Sequence, residues 1–336
     1  MAINSDRNYG QVLTASVARR SRAIQDIVYN ATPLTRILRE KGRIAERSAG
    51  GPELRIPIMF DKLDAQWFTG YDKLQITPKE LLNSAVFNWS RVVSMFSLTG
   101  TELLYNRGEA EVIDLMTTYI NAAEMSAKEA FEEAIVADGT ADGGRQMIGF
   151  GGAIPVTTNT GIYGGINRGD VANWRTTTYD IPNGDVSGYT TWDATTVRPI
   201  INRIALARSR GGRYPDLWIA DANSYQAIDS AFVAHQRIVG ERAGRLGFTS
   251  LVLQTAAGPV DIVAAGGIGN VMPADTVFGI DTDGLAIYTF PGQEFVPFHP
   301  GNGMRPINQD AVAQGIVWSG QMVLENPLFT VRVVTA

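Results

Sequence analysis

The stretch from Thr99 to Gly139 constrains this chain more than any other, because it is the one long, unbroken helical pattern in 336 residues. Val112, Met116, Tyr119, Ala123, Ala127, Ala130 and Ala134 recur at three- and four-residue spacing, and Ile113, Ile120, Phe131 and Ile135 widen them into an apolar face. Thr99 and Glu102 have the spacing of a capping box, and Gly139 stands where a C′ glycine ends a helix. From Glu109 to Asp138 nothing breaks the pattern, which predicts a rod of roughly 45 Å at about 1.5 Å per residue. Its alanines suit a closely packed sheet better than a coiled-coil seam of Leu and Ile. The opposite face is expected to be acidic: Glu102, Glu109, Glu111, Asp114, Glu124, Glu129, Glu132, Glu133 and Asp138 stand against only Arg107 and Lys128.

The formal net charge of −5 conceals a polarity along the chain. Residues 1–50 carry nine Lys/Arg against four Asp/Glu, so the basic part is an N-terminal arm that precedes the acidic rod. Such an arm suits nucleic acid, an acidic membrane surface or an acidic protein neighbour. Val12, Val17, Ile24, Ile27 and Val28 mark a loose helix over residues 11–30, and Leu34, Ile37 and Leu38 make one amphipathic turn after Pro33. Fifty residues of this kind hold no core of their own and read as an arm docked on something else.

Beyond the breaker Ser48-Ala49-Gly50-Gly51-Pro52, two alternating runs predict a hairpin. Leu54, Ile56, Ile58 and Phe60 share one face of the outgoing strand; Phe87, Trp89, Arg91, Val93 and Met95 share one face of the return. Between them Trp67, Phe68 and Tyr71 surround Gly70, an aromatic tip on a loop with little to bury it, and such tips mark protein contacts. Residues 139–190, rich in Gly, Asp, Asn and Thr, read as loops. A second body follows. It has a helix over about 194–209, a buried strand Leu217-Trp218-Ile219-Ala220, a helix through Tyr225, Ile228 and Phe232 capped by Asp221 or Asn223, and a hairpin across Ala256-Ala257-Gly258-Pro259. Val277–Ile280, Leu285–Phe290, Ile316–Leu324 and Phe329–Val334 are further strands. The class is α+β.

The tools of catalysis are sparse. With no cysteine there is neither a disulfide nor a Cys-based zinc site. His235 and His299 stand in unrelated contexts, and no nucleophile elbow, phosphate loop or dinucleotide fingerprint occurs. Asp281-Thr282-Asp283-Gly284 begins like a calcium loop, but Gly292 occupies the twelfth position where the bidentate Glu belongs, so a turn is expected there. No catalytic, cofactor or metal residue is assigned. Glu129, Glu132 and Glu133, at i, i+3 and i+4, do cluster on one helical face. They keep open an alternative reading as an α+β enzyme or discrete oligomer working through carboxylates. A nucleic-acid module using the basic arm is disfavoured because aromatic and basic residues do not interleave there. No apolar run approaches the roughly 18 residues of a membrane span.

The order of parts resembles that of the major capsid proteins of tailed bacteriophages, the Hong Kong 97-type fold: basic arm, aromatic-tipped hairpin, long acidic helix, glycine-rich crossing, α+β body, strand-rich C-terminus. Trp67-Phe68-Thr69-Gly70-Tyr71, Leu98-Thr99-Gly100-Thr101-Glu102, Tyr163-Gly164-Gly165-Ile166-Asn167-Arg168 and Pro215-Asp216-Leu217-Trp218-Ile219-Ala220 carry it, across nearly the whole chain. The resemblance implies an N-terminal arm over 1–52, an extended loop over 53–98, a peripheral domain from 99–140 and 286–323 built on the spine helix, and an axial domain from 141–285 and 324–336. It implies a shell of pentamers and hexamers enclosing double-stranded DNA in a virion, assembled in the host cytoplasm, with no catalysis and no cofactor. Scaffolding is expected to be a separate protein, alongside a portal and with room for decoration proteins. DNA contact is expected to be weak and non-specific.

Arm and loop then lie over neighbouring subunits, which assigns Arg19, Arg20, Arg22, Arg36 and Arg39 of the arm and Trp67, Phe68 and Tyr71 of the tip to inter-subunit contacts. The charge balance adds an expectation that the arm meets the Glu129, Glu132, Glu133 face of a neighbour. Some members of the family join subunits through a Lys-to-Asn bond. Lys62, Lys73 and Lys79 lie in the loop, where such a lysine sits, and are expected to be ordinary solvated lysines, since no sequence feature marks a matching Asn and Glu.

Overall fold

The computed structural model describes residues 17, 20, 23–26, 28, 33–47, 51–59, 65–74, 82–101, 109–233, 250–265, 272–298 and 310–336. In chain order the principal elements are α1 (Pro33–Glu40), β1 (Ile44–Glu46), β2 (Glu53–Met59), β3 (Leu82–Asn88), β4 (Ser90–Thr99) and the spine helix α2 (Glu109–Val136). Next come β5 (Ile162–Tyr163), β6 (Ile166–Asn167), β7 (Thr177–Asp180), α3 (Val197–Ala207), β8 (Leu217–Ala220) and α4 (Ala222–Val233). The chain ends with β9 (Ser250–Gln254), β10 (Pro259–Ala264), β11 (Thr276–Ile280), β12 (Leu285–Thr289), β13 (Val296–Pro297), β14 (Ala311–Leu324) and β15 (Val331–Val334). They fall into two compact units, one of residues 1–50, 89–151 and 286–322, the other of 51–88, 152–285 and 323–336. Among the described residues no helix is long and apolar enough to cross a membrane.

The first unit is a five-stranded sheet with the spine packed on one face. Its strand order is β1-β12-β14-β13, with β4 also paired to β14. The antiparallel register runs from Ala311 opposite Thr99 to Gly320 opposite Ser90. Side chains alternate faces along a strand, so Phe96 and Leu98 share the inner face with Val312, Ile316 and Trp318, all buried. On the spine Ile120, Ala123, Ala127, Phe131, Ala134 and Ile135 are buried, as the apolar spacing predicts. Phe131 meets Trp318 edge-on at 5.0 Å and Phe295 at 6.2 Å, a geometry that aromatic quadrupoles favour. Gly139 has φ +84, and a Cβ there would lie 3.0 Å from Ile148, so glycine is required by both backbone and space. At the other end Thr99 closes β4 directly before helical Gly100 and Thr101, while Glu102 of the expected capping box lies outside the described residues.

The second unit is a six-stranded sheet, β7-β15-β11-β8-β10-β9, mixing parallel and antiparallel pairs. All four residues of β8 are buried, which explains its unbroken apolar run. Ile200, Ile201 and Ile204 of α3 and Ile228 of α4 pack with Trp218, Val277 and Val331 into one core. Asp221 caps α4, accepting the Ser224 N–H at 3.2 Å. The Asp281-to-Gly284 segment is a turn between β11 and β12, closed by Gly284 N–H to Asp281 O at 3.0 Å. The Asp281 carboxylate is buried and held by Arg213 at 2.6 Å.

Three expectations need correction. The return strand is not one run. β3 pairs with β2 in a separate two-stranded sheet, and after Trp89 the phase reverses, with Ala85 and Phe87 buried before it and Phe96 and Leu98 after it. Val93 and Met95 therefore stand on the outer face, 43% and 44% exposed. The loop reading of 139–190 misses β5, β6 and β7, whose two to four residues are too short to show periodicity. And the described arm residues Val17, Ile24, Val28, Leu34 and Leu38 are 0–2% exposed within the first unit, so the arm does have a core, supplied by its own chain.

Candidate assembly surfaces

The hairpin is the most informative element, because its two ends have opposite fates. At the base, in the second unit, Leu54, Ile56, Ile58, Ala85 and Phe87 are buried, and the β5–β6 hairpin provides their cover. Phe87 packs edge-on against Tyr163, ring centroids 5.1 Å apart, and the Val86 N–H donates to Gly164 O at 2.9 Å. Gly164 has φ +58, and a Cβ there would lie 2.7 Å from the Phe87 ring, so only glycine lets this close approach occur.

Several surrounding polar groups are engaged around the same small hairpin, while Arg168 Nε is buried without a hydrogen-bond partner. The Tyr163 hydroxyl accepts the Leu324 N–H at 2.9 Å, and the Trp174 indole N–H donates to Tyr163 O at 2.9 Å. Arg168, buried, lies over the Tyr163 ring at 5.1 Å and donates to Gly152 O at 2.8 Å and Ala153 O at 3.0 Å. Burial pushes the Tyr163 hydroxyl up to about 12 and lowers the Arg168 pKa. This is a structural account of the Tyr163–Arg168 motif: its residues seat a hairpin.

At the tip the situation reverses. Trp67 and Tyr71 are 101% and 105% exposed and Phe68 is 65% exposed. The turn beneath them is nevertheless formed. Thr69 N–H donates to the Asp72 carboxylate at 2.8 Å, and Asp72 N–H returns to Thr69 O at 2.9 Å, a four-residue turn closed twice. Lys73 is exposed beside it; Lys62 and Lys79 lie outside the described residues.

The arm arginines have partners inside the chain. Arg20 meets Glu124 at 2.9 Å, Arg39 meets Asp26 at 2.5 Å and Arg36 meets Glu40 at 3.5 Å; Arg19 and Arg22 lie outside the described residues. Glu124 is the residue the charge count misplaces. It is 5% exposed, in the buried row with Ile120, Ala127 and Phe131, and burial raises its pKa while Arg20 partly offsets the rise. The spacing 120–124–127–131 carries the signal that Glu124 belongs inside and needs a cation. Of the acidic trio, Glu129 and Glu133 are exposed, while Glu132 is half-buried, 3.9 Å from Lys128, with its pKa raised by burial. Among the described residues no group of three or more His, Asp or Glu is placed to hold a metal, and both histidines lie outside them.

Sequence reasoning missed the outer face of the first unit's sheet. Val93, Met95 and Phe298 are exposed there, against Gly315 and Val317 of β14.

Solved structures resemble the chain over most of its length. A chain of the cyanophage A-1(L) capsid asymmetric unit matches with a TM-score of 0.64 at 15% identity, covering 88% of this chain and 90% of that one. The capsid of a native GTA particle gives 0.54 at 10% identity, covering 91% of each, and the capsid of Myoviridae phage XM1 gives 0.51 at 10%, covering 89% and 92%. No protein-family model and no curated protein matches the sequence. At such identities likeness speaks for architecture alone, and the architecture is clear: this chain has the fold of the tailed-phage capsid proteins, the Hong Kong 97-type fold.

Proposed function

We propose that this chain is a major capsid protein, a structural subunit that assembles as pentamers and hexamers into an icosahedral-type shell around double-stranded DNA. The observation that carries the reading is the end-to-end correspondence with capsid chains, 88–91% of this chain against 90–92% of those. In this reading residues 1–52 are the arm, 53–98 the extended loop, 99–140 and 286–323 the peripheral domain, which falls largely in the first unit, and 141–285 and 324–336 the axial domain, largely in the second. The aromatic tip supports it independently, since three large exposed side chains on a formed turn are costly in a monomer and useful in an interface.

Subunits contact one another through the tip and the remaining arm arginines, with no catalytic step. Lys73, Lys62 and Lys79 form no covalent link, so denaturing electrophoresis of shells gives monomers. A separate scaffolding protein and a portal complete assembly in the host cytoplasm, decoration proteins have room to bind, and DNA is held by weak phosphate contacts that salt releases. Electron microscopy of the protein expressed alone and with a neighbouring scaffold gene product tests the reading. Closed shells, capsomer rings or polymorphic sheets are expected; a small discrete oligomer under both conditions overturns it.

A further inference from the structure

Between Asp193 and Asp216 the chain holds five arginines and no carboxylate, a run of one sign in a protein whose net charge is −5. The run builds one surface of the second unit. α3 buries Val197, Ile200, Ile201, Ile204 and Ala205, so helical spacing turns Arg198 and Arg203 outward, where both are exposed. Past the helix the chain makes a tight turn, with Arg210 N–H to Arg213 O at 2.9 Å, Arg213 N–H to Arg210 O at 3.1 Å, and Gly211 and Gly212 at φ +60 and +83. Among the described residues nothing lies within 4 Å of a Cβ built on either glycine, so a broad ligand can settle on bare backbone between two arginines. Three of the five guanidiniums are already held: Arg203 donates to Ser187 O, Arg208 to the Tyr179 hydroxyl at 3.0 Å, and Arg213 pairs with buried Asp281 at 2.6 Å. The carboxylates that bound the run are occupied as well. Asp193 accepts the Thr195 and Thr196 N–H groups at 2.8 and 3.1 Å, and Asp216 accepts the Thr282 N–H at 2.8 Å.

We infer that α3 and the Gly211–Gly212 turn form the surface through which the chain holds the phosphate backbone of duplex DNA. The assignment rests on the shell reading above and gives its DNA contact a place outside the basic arm. Three features select this occupant. Arginine forks match phosphate oxygens two at a time. Arg198 and Arg203 are spaced about 7.5 Å along the helix at about 1.5 Å per residue, and a duplex presents a charge every ~1.7 Å of its axis. Such a row finds phosphates whatever the rotation or sequence of the DNA, whereas the carboxylates of a protein partner would need a matched register. Finally, no Phe, Tyr or Trp stands between Asp193 and Tyr214, so the run offers an unpaired base nothing to stack on, which selects duplex over single strand. Holding three of the five arginines in place lowers the ordering cost of binding, and so few contacts keep the affinity low, as a shell that releases its genome requires.

Affinity of the full-length, unassembled chain for a short random-sequence duplex, read by fluorescence anisotropy against salt, tests the assignment. Arg198→Ala, Arg203→Ala and Arg210→Ala together are expected to lower the slope of log K against log[salt] by about 2.7, at about 0.9 per phosphate contact. Between about 50 and 200 mM salt the wild type is then expected to lose about 40-fold more affinity than the variant. The control removes the same charge elsewhere, through Arg55→Ala, Arg91→Ala and Arg145→Ala, all exposed, and is expected to keep the wild-type slope. An unchanged slope in the first variant, or an equal drop in the control, overturns the assignment. So does a first variant that keeps its DNA affinity and no longer forms shells, which marks the surface as a contact with an acidic protein. These outcomes leave the shell reading standing; a wild type that never assembles fails that reading alone, since the slope is read on the unassembled chain. Phenylglyoxal labelling of the wild type is a second measurement that needs no variant. Duplex DNA is expected to protect Arg198 and Arg210 and not Arg55 or Arg91, and unchanged labelling at Arg198 and Arg210 overturns the inference.

Discussion

The base and the tip of one hairpin use similar residues to opposite ends. At the base Phe87 is 2% exposed, fitted against Tyr163 and over Gly164; at the tip Trp67 and Tyr71 are fully exposed and Phe68 is 65% exposed. Burying a Phe is worth about 1.5–3 kcal/mol, and the base collects this inside its own chain while the tip holds it in reserve. Apolar content therefore does not mark a subunit contact. What distinguishes the tip is apolar content with no cover, displayed on a turn that Asp72 and Thr69 have already closed. Preorganisation of that kind reduces the ordering cost of binding.

The sharpest break between the two ends comes from removing the rings. Trp67→Ser, Phe68→Ser and Tyr71→Ser together are expected to abolish shell formation while shifting monomer stability by less than about 0.5 kcal/mol, since exposed positions contribute little. Electron microscopy and a thermal melt of the same sample measure both. Phe87→Ala at the base is expected to do the reverse in order of cause, costing about 3–5 kcal/mol of stability through a cavity, with assembly lost only as far as folding is lost. A Phe87→Ala chain that melts like wild type would break the comparison. Gly164→Ala is expected to cost less, about 2 kcal/mol, combining a strained positive φ with a contact to Phe87 that must give way. Denaturant unfolding resolves the two.

Much of the fold is legible in the sequence because long elements declare their period. The spine shows seven apolar positions at three- and four-residue spacing, and its packing on a sheet follows from Ala123, Ala127 and Ala134. β8, β10, β11, β14 and β15 show as apolar runs, and Asp221 shows as a cap. What was illegible is context. Strands of two residues at Ile162 and Ile166 have no period to read, and their meaning lies in what Gly164 lets approach. The phase reversal at Trp89 hides Val93 and Met95, because alternation alone does not say where a strand leaves one partner for another. Of the candidate site, the tip was readable as aromatic residues around a glycine; the outer face of the first unit's sheet was not, since Met95 lies more than two hundred residues from Gly315 and Phe298 and meets them only through sheet register.

The arm repeats the comparison with charge in place of apolar surface, and gives the smallest of the expected effects. Counting charges pairs basic arm with acidic spine, and within the chain Arg20 meets buried Glu124; the expected contact with the Glu129, Glu132, Glu133 face of a neighbour is one between subunits. Burial raises the Glu124 pKa above its ordinary value, so this group's own contribution to stability is full below the ordinary carboxylate pKa and is lost as pH rises through the raised one. Arg20 opposes that loss, and does so only once Glu124 is ionised. Arg20→Ala is therefore expected to cost about 1 kcal/mol near pH 8, a value kept small because Arg20 is about a third exposed, and close to nothing near pH 4. The same substitution moves the Glu124 titration further upward, visible by side-chain carboxyl NMR. An equal cost at both pH values would show that Arg20 acts by packing its aliphatic stem on the spine, and the arm would then be held there by apolar contact rather than by charge.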